Sequence, residues 1–233
     1  SWLASGLGVL LTERRRLLRE ASRAKLTLSP EIPFVPDVLS GRDAMKGIRP
    51  RVPPGQLVTG KFPVLTYGPT PRIELKDWRL RLVGLVAHPV DLTWEAFRAL
   101  PQVKVVADFH CVTRWSRLSN EWEGVRFREV ARLAQPRTEA RFVAVGCYGG
   151  YTTNVEMEAL LDDDVLLAWR HDGRELAPEH GGPVRLVVPK RYGWKSAKWA
   201  HVLEFLAEDR PGFWETHGYH NTADPWREER FSQ

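Results

Sequence analysis

From Trp78 onward the chain switches repeatedly between two hydrophobic periods. Trp78-Arg79-Leu80-Arg81-Leu82-Val83 places an apolar side chain at every second position, which predicts a half-buried strand. Thr93 stands where a helix cap belongs and predicts a short helix over residues 94–100. Residues 103–109 read as a strand, residues 127–134 as a helix and residues 141–147 as another strand. Thr153-Asn154-Val155-Glu156 has the spacing of a capping box, so a helix is expected from there to about Leu161. Residues 165–170, with a short return after Asp172-Gly173, predict a hairpin, and residues 184–189 and 199–206 predict two further strands.

Ahead of this regular part, residues 1–25 read as a basic helix. Residues 26–72 carry Pro30, Pro33, Pro36, Pro50, Pro53, Pro54, Pro63, Pro69 and Pro71. Proline lacks an N–H and breaks helices, so this stretch is expected to be extended and irregular, either disordered or an arm that wraps a functional surface. The division is an N-terminal helix and arm over 1–72 and a core over 73–233, forming one compact domain overall. Strands outnumber helices and the helices interrupt them irregularly. That pattern predicts an α+β fold with mixed β-sheets and short helices rather than a doubly wound one.

Composition changes this picture little. A net charge of +5 from 34 basic and 29 acidic residues is a mild excess, and no nucleic-acid partner is expected from it. Two cysteines exclude a disulfide framework, leave one disulfide open, and permit a reducing compartment. The first eleven residues are mostly apolar, against the roughly 20 that a membrane-spanning helix needs. The run Thr12-Glu13-Arg14-Arg15-Arg16 follows them, the reverse of a signal peptide. A cytoplasmic location is the expectation, with a trimmed start, and hence a periplasmic or membrane-attached protein, as the alternative.

The candidate chemistry begins at Cys111, which the strand over 103–109 delivers to the start of a loop. It is either a buried structural thiol or a metal ligand. His110, Thr113, Arg114 and Arg117 surround it in sequence, and cationic neighbours favour thiolate. His180-Gly181-Gly182-Pro183-Val184-Arg185 is a tight turn feeding a strand, and an arginine among apolar residues has an anionic partner, from the protein or from a ligand phosphate. Tyr192-Gly193-Trp194-Lys195-Ser196-Ala197-Lys198-Trp199 offers lysines and small residues whose backbone N–H groups can approach an anion. Phe213 to His220, followed by Asp224-Pro225-Trp226, is aromatic and histidine-rich and is read as packing and rim.

These residues, in this order, resemble the molybdopterin-dependent oxidoreductases of the sulfite oxidase type, and among them the compact bacterial sulfite oxidase-like proteins related to the molybdenum subunits of methionine-sulfoxide reductases. The resemblance runs from about Phe62 to Trp226. It implies a sulfite oxidase-type molybdopterin-binding fold and one molybdenum-molybdopterin per chain. By position it implies Cys111 as the single protein thiolate on molybdenum, Arg185 as a phosphate-binding arginine, and Ser196, Ala197 and Lys198 as the phosphate cradle. Thr66, Thr113, Cys147 and His180 fall at cofactor-neighbouring positions. Thr113 stands where the reductase relatives have an acidic residue, Cys147 where they have threonine and His180 where they have asparagine.

The resemblance further implies oxygen-atom transfer on a small sulfur-containing or oxyanion substrate, with Arg114 and Arg117 as candidates to bind an oxyanion or a sulfoxide oxygen. With no haem or flavin motif in the chain, an external electron partner is expected, such as a cytochrome, a flavoprotein or a quinone system, with the protein itself a monomer. Two other readings stay open: a zinc metallohydrolase using His110, Cys111 and Cys147, and a non-enzymatic basic module that binds anions or nucleic acid.

Overall fold

Two β-sheets lie behind the candidate site, and each takes strands from distant parts of the chain. The computed structural model describes residues 50–232; the expected N-terminal helix and the first part of the Pro-rich arm lie outside the described residues. The strands are β1 (Leu57–Val58), β2 (Arg79–Gly84), β3 (Val90–Thr93), β4 (Val103–His110), β5 (Trp115–Arg126), β6 (Phe142–Cys147), β7 (Thr152–Glu156), β8 (Leu166–His171), β9 (Arg174–Glu175), β10 (Arg185–Val187) and β11 (Ala200–Leu206). Between them sit short helices: α1 (Trp94–Arg98), α2 (Phe127–Ala134), α3 (Met157–Leu160) and α4 (Phe213–Thr216). Single 3-10 turns occupy Pro178–His180 and Pro225–Arg227.

One sheet runs β1-β5-β8-β10, with β4 added along β5 and β9 along β8. The other runs β3-β2-β11-β6-β7. The β1–β5 and β2–β11 pairs are parallel and the remaining pairs antiparallel, so both sheets are mixed, as the irregular alternation of elements requires. No helix among the described residues is long and apolar enough to cross a membrane.

Local rules account for most elements. Leu80 and Leu82 of β2 are fully buried, as the alternation demands. The Thr93 hydroxyl accepts the Ala96 N–H at 3.2 Å and caps α1. In α2 the buried residues are Phe127, Val130, Ala131 and Ala134, one face at i, i+3, i+4 and i+7.

The expected helix opening at Thr153 is a correction. Residues 152–156 are strand β7, paired in register with β6 from Gly146↔Thr152 to Phe142↔Glu156. Helix α3 starts only at Met157, and Glu156 caps it without a side-chain hydrogen bond. Pairing with β6 outweighed a local capping signal, since it satisfies the backbone groups of alternate residues of β7 and accompanies the burial of Thr153, Asn154 and Val155.

Strand β5, twelve residues long, carries no clean alternation in its sequence. It is held between β4 and β8, with pairing shifts between Ala107 and Phe109 on one side and between Glu123 and Gly124 on the other. The first shift ends β4 with two consecutive buried residues, Phe109 and His110. At Gly124 any Cβ would run into the backbone of Leu167 and Ala168, so only glycine lets β5 and β8 meet there.

The core has three parts. The largest lies under the β3-β2-β11-β6-β7 sheet and includes Trp78, Phe97, Phe127, Leu203, Phe205 and Cys147. A second gathers Phe109, Cys111, Trp115, Trp122 and Leu176, with Phe62 of the arm packed on it. A third, Tyr192, Trp194 and Ala223, touches Val112, Trp214 and Tyr219. Cys111 therefore sits in the second cluster, one residue away from the third.

Candidate active site around Cys111

Cys111 opens a tight turn between β4 and β5. Its N–H donates to Trp115 O at 2.9 Å, the Arg114 N–H donates back to Cys111 O at 3.1 Å, and Arg114 takes the left-handed φ of 70° that the turn needs. Cys111 Sγ lies 3.1 Å from Thr113 Oγ1. The thiol is buried, and burial pushes its pKa up; the Thr113 contact and the charges of Arg185 and Arg230 pull the other way. The cations acting on the thiol therefore come from distant segments. They act ahead of the sequence neighbours His110, Arg114 and Arg117.

Arg185 is buried at the start of β10. Its Nε donates to Ser196 O at 3.1 Å and its Nη1 to His180 O at 3.2 Å. Lys198 Nζ donates to Leu65 O at 2.8 Å, Thr66 Oγ1 at 2.7 Å and Glu179 O at 2.6 Å. All five acceptors are neutral, and among the described residues neither cation has a carboxylate within ion-pair distance. Burial, with Arg185 nearby, pushes Lys198 down to about 7, and burial alone lowers Arg185 to about 10. Two desolvated cations without counter-charge fit an anionic group placed between them and the thiol. The structure thus passes the test that a phosphate-bearing, metal-binding cofactor sets.

Around these cations the 196–198 stretch is held by backbone bonds. The Ser196 hydroxyl accepts the Val188 N–H at 2.9 Å, and Ala197 O accepts the Leu186 N–H, also at 2.9 Å, so the 196–198 stretch is fixed against β10. Gly193, expected as a point of close approach to a ligand, serves a different contact. Its N–H donates to His110 O at 2.8 Å, and a Cβ there would lie 2.6 Å from the Phe109 ring. His180 lies on the 3-10 turn with its ring stacked on Phe62 at 5.0 Å, and burial together with Arg185 lowers its pKa.

Thr66, Thr113, His180, Arg185, Ser196, Ala197 and Lys198 are thus connected to one another or to Cys111. Cys147 is not part of that hydrogen-bonded set. It lies in the large core, its thiol pushed up by burial, and its nearest functional neighbour is Tyr151, whose phenol both Cys147 and Arg185 influence. Arg117 is committed elsewhere. Its guanidinium donates to Gly60 O, Asn120 Oδ1 and His171 Nε2 and pairs with Asp172. With Gly60, Phe62, His171, Asp172, Arg174 and His180 it lines a cavity of about 430 Å³. Arg114 is exposed, and its guanidinium is one of the groups a Cβ on Gly55 would strike.

The zinc set does not assemble. The His110 ring bonds Ser116 Oγ at 2.7 Å and packs on Trp226, while Cys111 turns to Thr113 and Cys147 belongs to the other core. No three His, Cys, Asp or Glu among the described residues are grouped to hold a metal.

Two site residues carry no signal in the sequence. Gln56 and Arg230 hold the Cys111 turn from opposite ends of the chain. Tyr219, whose pKa is raised by burial and by Cys111, sits in an aromatic row with Tyr67, Trp214 and Phe231.

A buried thiol near two cations that have no carboxylate partner among the described residues fits a molybdopterin-binding oxidoreductase. The chain belongs to the oxidoreductase molybdopterin binding domain family, whose model matches residues 67–214; this is the sulfite oxidase type, its cofactor is molybdenum-molybdopterin, and the protein is an enzyme. It is 46% identical over 183 residues to the uncharacterized oxidoreductase YuiH of Bacillus subtilis (strain 168), covering 78% of this chain and 92% of that protein. It is 27% identical over 172 residues to the protein-methionine-sulfoxide reductase catalytic subunit MsrP of Campylobacter jejuni subsp. jejuni, covering 64% of this chain but only 58% of that one. Among solved structures it is similar to the sulfane dehydrogenase SoxCD of Paracoccus pantotrophus, with a TM-score of 0.55 and 25% identity, over 60% of this chain and 40% of that one.

Proposed function

We propose that this oxidoreductase carries out oxygen-atom transfer on a small sulfur-containing substrate, with Cys111 as the protein's thiolate ligand to molybdenum. The observation that carries the reading is the buried Cys111 thiol within reach of the charges of Arg185, Arg230 and Lys198, with no carboxylate among the described residues at ion-pair distance from Arg185 or Lys198. When bound, the cofactor supplies a two-electron change at the metal and an oxygen-atom acceptor or donor.

The chain's residues do the rest. Arg185 and Lys198 hold the cofactor's phosphate, and the backbone of residues 196–198 shapes its seat. The Thr113 hydroxyl shares a hydrogen bond with the Cys111 sulfur and favours its anionic form. Phe62, Phe109 and Trp115 keep water away from the cysteine turn.

The substrate preference rests on the row of Tyr67, Trp214, Tyr219 and Phe231, whose Tyr219 end responds to Cys111. Ring faces favour sulfur groups over a bare oxyanion such as nitrate. Arg117, already engaged by four partners, is not free to bind an oxyanion, and the name of the MsrP relative points the same way. Electrons enter or leave through an external partner, a cytochrome, flavoprotein or quinone system.

The test is elemental analysis with fluorescence of the acid-released pterin, followed by turnover of an organic sulfoxide, sulfite and nitrate. About one molybdenum per chain with pterin, lost in Cys111→Ala, and kcat/KM highest for the organic sulfoxide are the expected results. Zinc without pterin, or molybdenum fully retained in Cys111→Ala, overturns the reading, and a preference for nitrate overturns the substrate.

A further inference from the structure

Two side chains that contact neither the phosphate cradle nor the sulfur converge on the backbone of the Cys111 turn. Gln56 is buried, and its Nε2 donates to Cys111 O at 3.1 Å, Trp115 O at 3.1 Å and Ser116 Oγ at 3.2 Å. Its Oε1 accepts from Arg230 Nη2 at 3.2 Å. Arg230 Nη1 donates to Val112 O at 2.8 Å, and Nη2 also reaches Pro54 O at 3.5 Å. Arg230 is buried, its guanidinium stacked on the Tyr192 ring at 4.7 Å, and among the described residues its one carboxylate contact is to Glu228 at 3.8 Å.

The arm adds main-chain bonds to the same turn: Leu57 N–H to Arg114 O at 2.8 Å and Thr59 N–H to Ser116 O at 2.9 Å. One amide and one guanidinium therefore tie the carbonyls of residues 111, 112 and 115 into a single unit. Gln56 and Arg230 both lie outside residues 67–214, the part of the chain the family model matches.

We propose that Gln56 and Arg230 are positioning residues that fix the Cys111 turn, and with it the direction in which the Cys111 sulfur meets the metal. The geometry requires a fork. A single guanidinium reaches Val112 O with one nitrogen and Gln56 Oε1 with the other, which an ammonium on a flexible stem cannot do. The metal side of the inference rests on the reading of Cys111 as the ligand; the backbone side does not.

The experiment uses the molybdenum-loaded full chain and two readouts: amide hydrogen exchange of residues 111–116, and the electron spin resonance signal of partly reduced molybdenum. Arg230→Met and Gln56→Met each speed exchange at 111–116 by about tenfold or more, the loss of one buried charge-assisted bond, and leave strands β6 and β11 at the parent's rates. Both variants keep the parent's molybdenum content but shift or broaden the resonance signal. Arg230→Lys restores neither readout. Parent-like exchange at 111–116, faster exchange spread equally over β6 and β11, or full rescue by Arg230→Lys overturns the clamp. A loosened turn with an unchanged resonance signal overturns its metal side. Molybdenum retained by Cys111→Ala overturns the ligand reading instead, and the exchange data then decide the clamp by themselves.

Discussion

Cys111 Sγ and Thr113 Oγ1 are 3.1 Å apart across the turn that joins β4 to β5. This contact is among the groups that counter burial and lower the thiol's pKa. Thr113→Val keeps the shape and removes the hydroxyl. Loss of one hydrogen bond of about 1 kcal/mol slows alkylation of the cofactor-free thiol at pH 8 by about fivefold. A rate equal to the parent's would show that the hydroxyl contributes nothing to the thiolate.

Lys198 titrates at about 7 in the protein without cofactor, against an ordinary 10.5. An anion beside it favours the ammonium, so cofactor binding takes up a proton above pH 7. Cofactor retention therefore falls with rising pH, by up to about tenfold per unit between pH 7 and the pKa of the bound state. The check is residual molybdenum after dialysis at pH 6.5 and pH 9, with Lys198→Met losing both the affinity and its pH dependence. The cofactor-free protein shows the opposite trend in stability. Its native state binds fewer protons than the unfolded chain between about pH 7 and pH 10.5, so folding strengthens as pH rises through that window.

His110 and His171 are both pushed down to about 4, chiefly by burial. Each is neutral in the fold and protonates more readily when unfolded. Stability from both is complete above about pH 6.5 and lost as pH falls toward 4. His110→Gln removes one of the two protons taken up on acid unfolding, and urea midpoints measured from pH 4 to pH 7 give a shallower slope. An unchanged slope would mean that His110 is not buried neutral.

Lys195 and Glu215 form a buried ion pair at 2.6 Å, with the lysine also bonded to Asn154 O at 2.7 Å and Asn154 Oδ1 at 3.0 Å. Glu215 Oε1 further accepts from Thr153 Oγ1 at 3.0 Å and Trp194 Nε1 at 2.9 Å. Removing one partner leaves a buried charge. Lys195→Met is expected to cost about 3–5 kcal/mol, and the double change Lys195→Met with Glu215→Met to recover a large part of it. Denaturant unfolding of the two variants checks this, and additive losses would show that the charges are not coupled.

Local pattern made much of the sheet legible. The alternation over 78–83, the apolar run over 103–109 and the helical spacing over 127–134 each reflect one residue's relation to its near neighbours. The same rules failed at Thr153, where a capping signal lost to pairing with β6, and across β5, whose polar residues are held by strands on both sides. In the site, Arg185 and the stretch from Ser196 to Lys198 stand out in the sequence as basic and small residues, and the structure joins them through the bond from Arg185 Nε to Ser196 O. The turn of Cys111 was legible as a place, but not as an electrostatic environment.

The sequence by itself determined the strands that flank the site and the thiol at the end of β4, because periodicity is a local property. Tertiary structure alone decided which cations act on that thiol. Arg114 and Arg117 stand three and six positions from Cys111 in the sequence, yet the guanidinium of Arg117 is bonded to Gly60 O, Asn120 Oδ1, His171 Nε2 and Asp172. Arg185 and Arg230, far away along the chain, supply the charge that reaches the sulfur. Charge acts through space, and only the packing of β10, the arm and the C-terminal residues sets those distances.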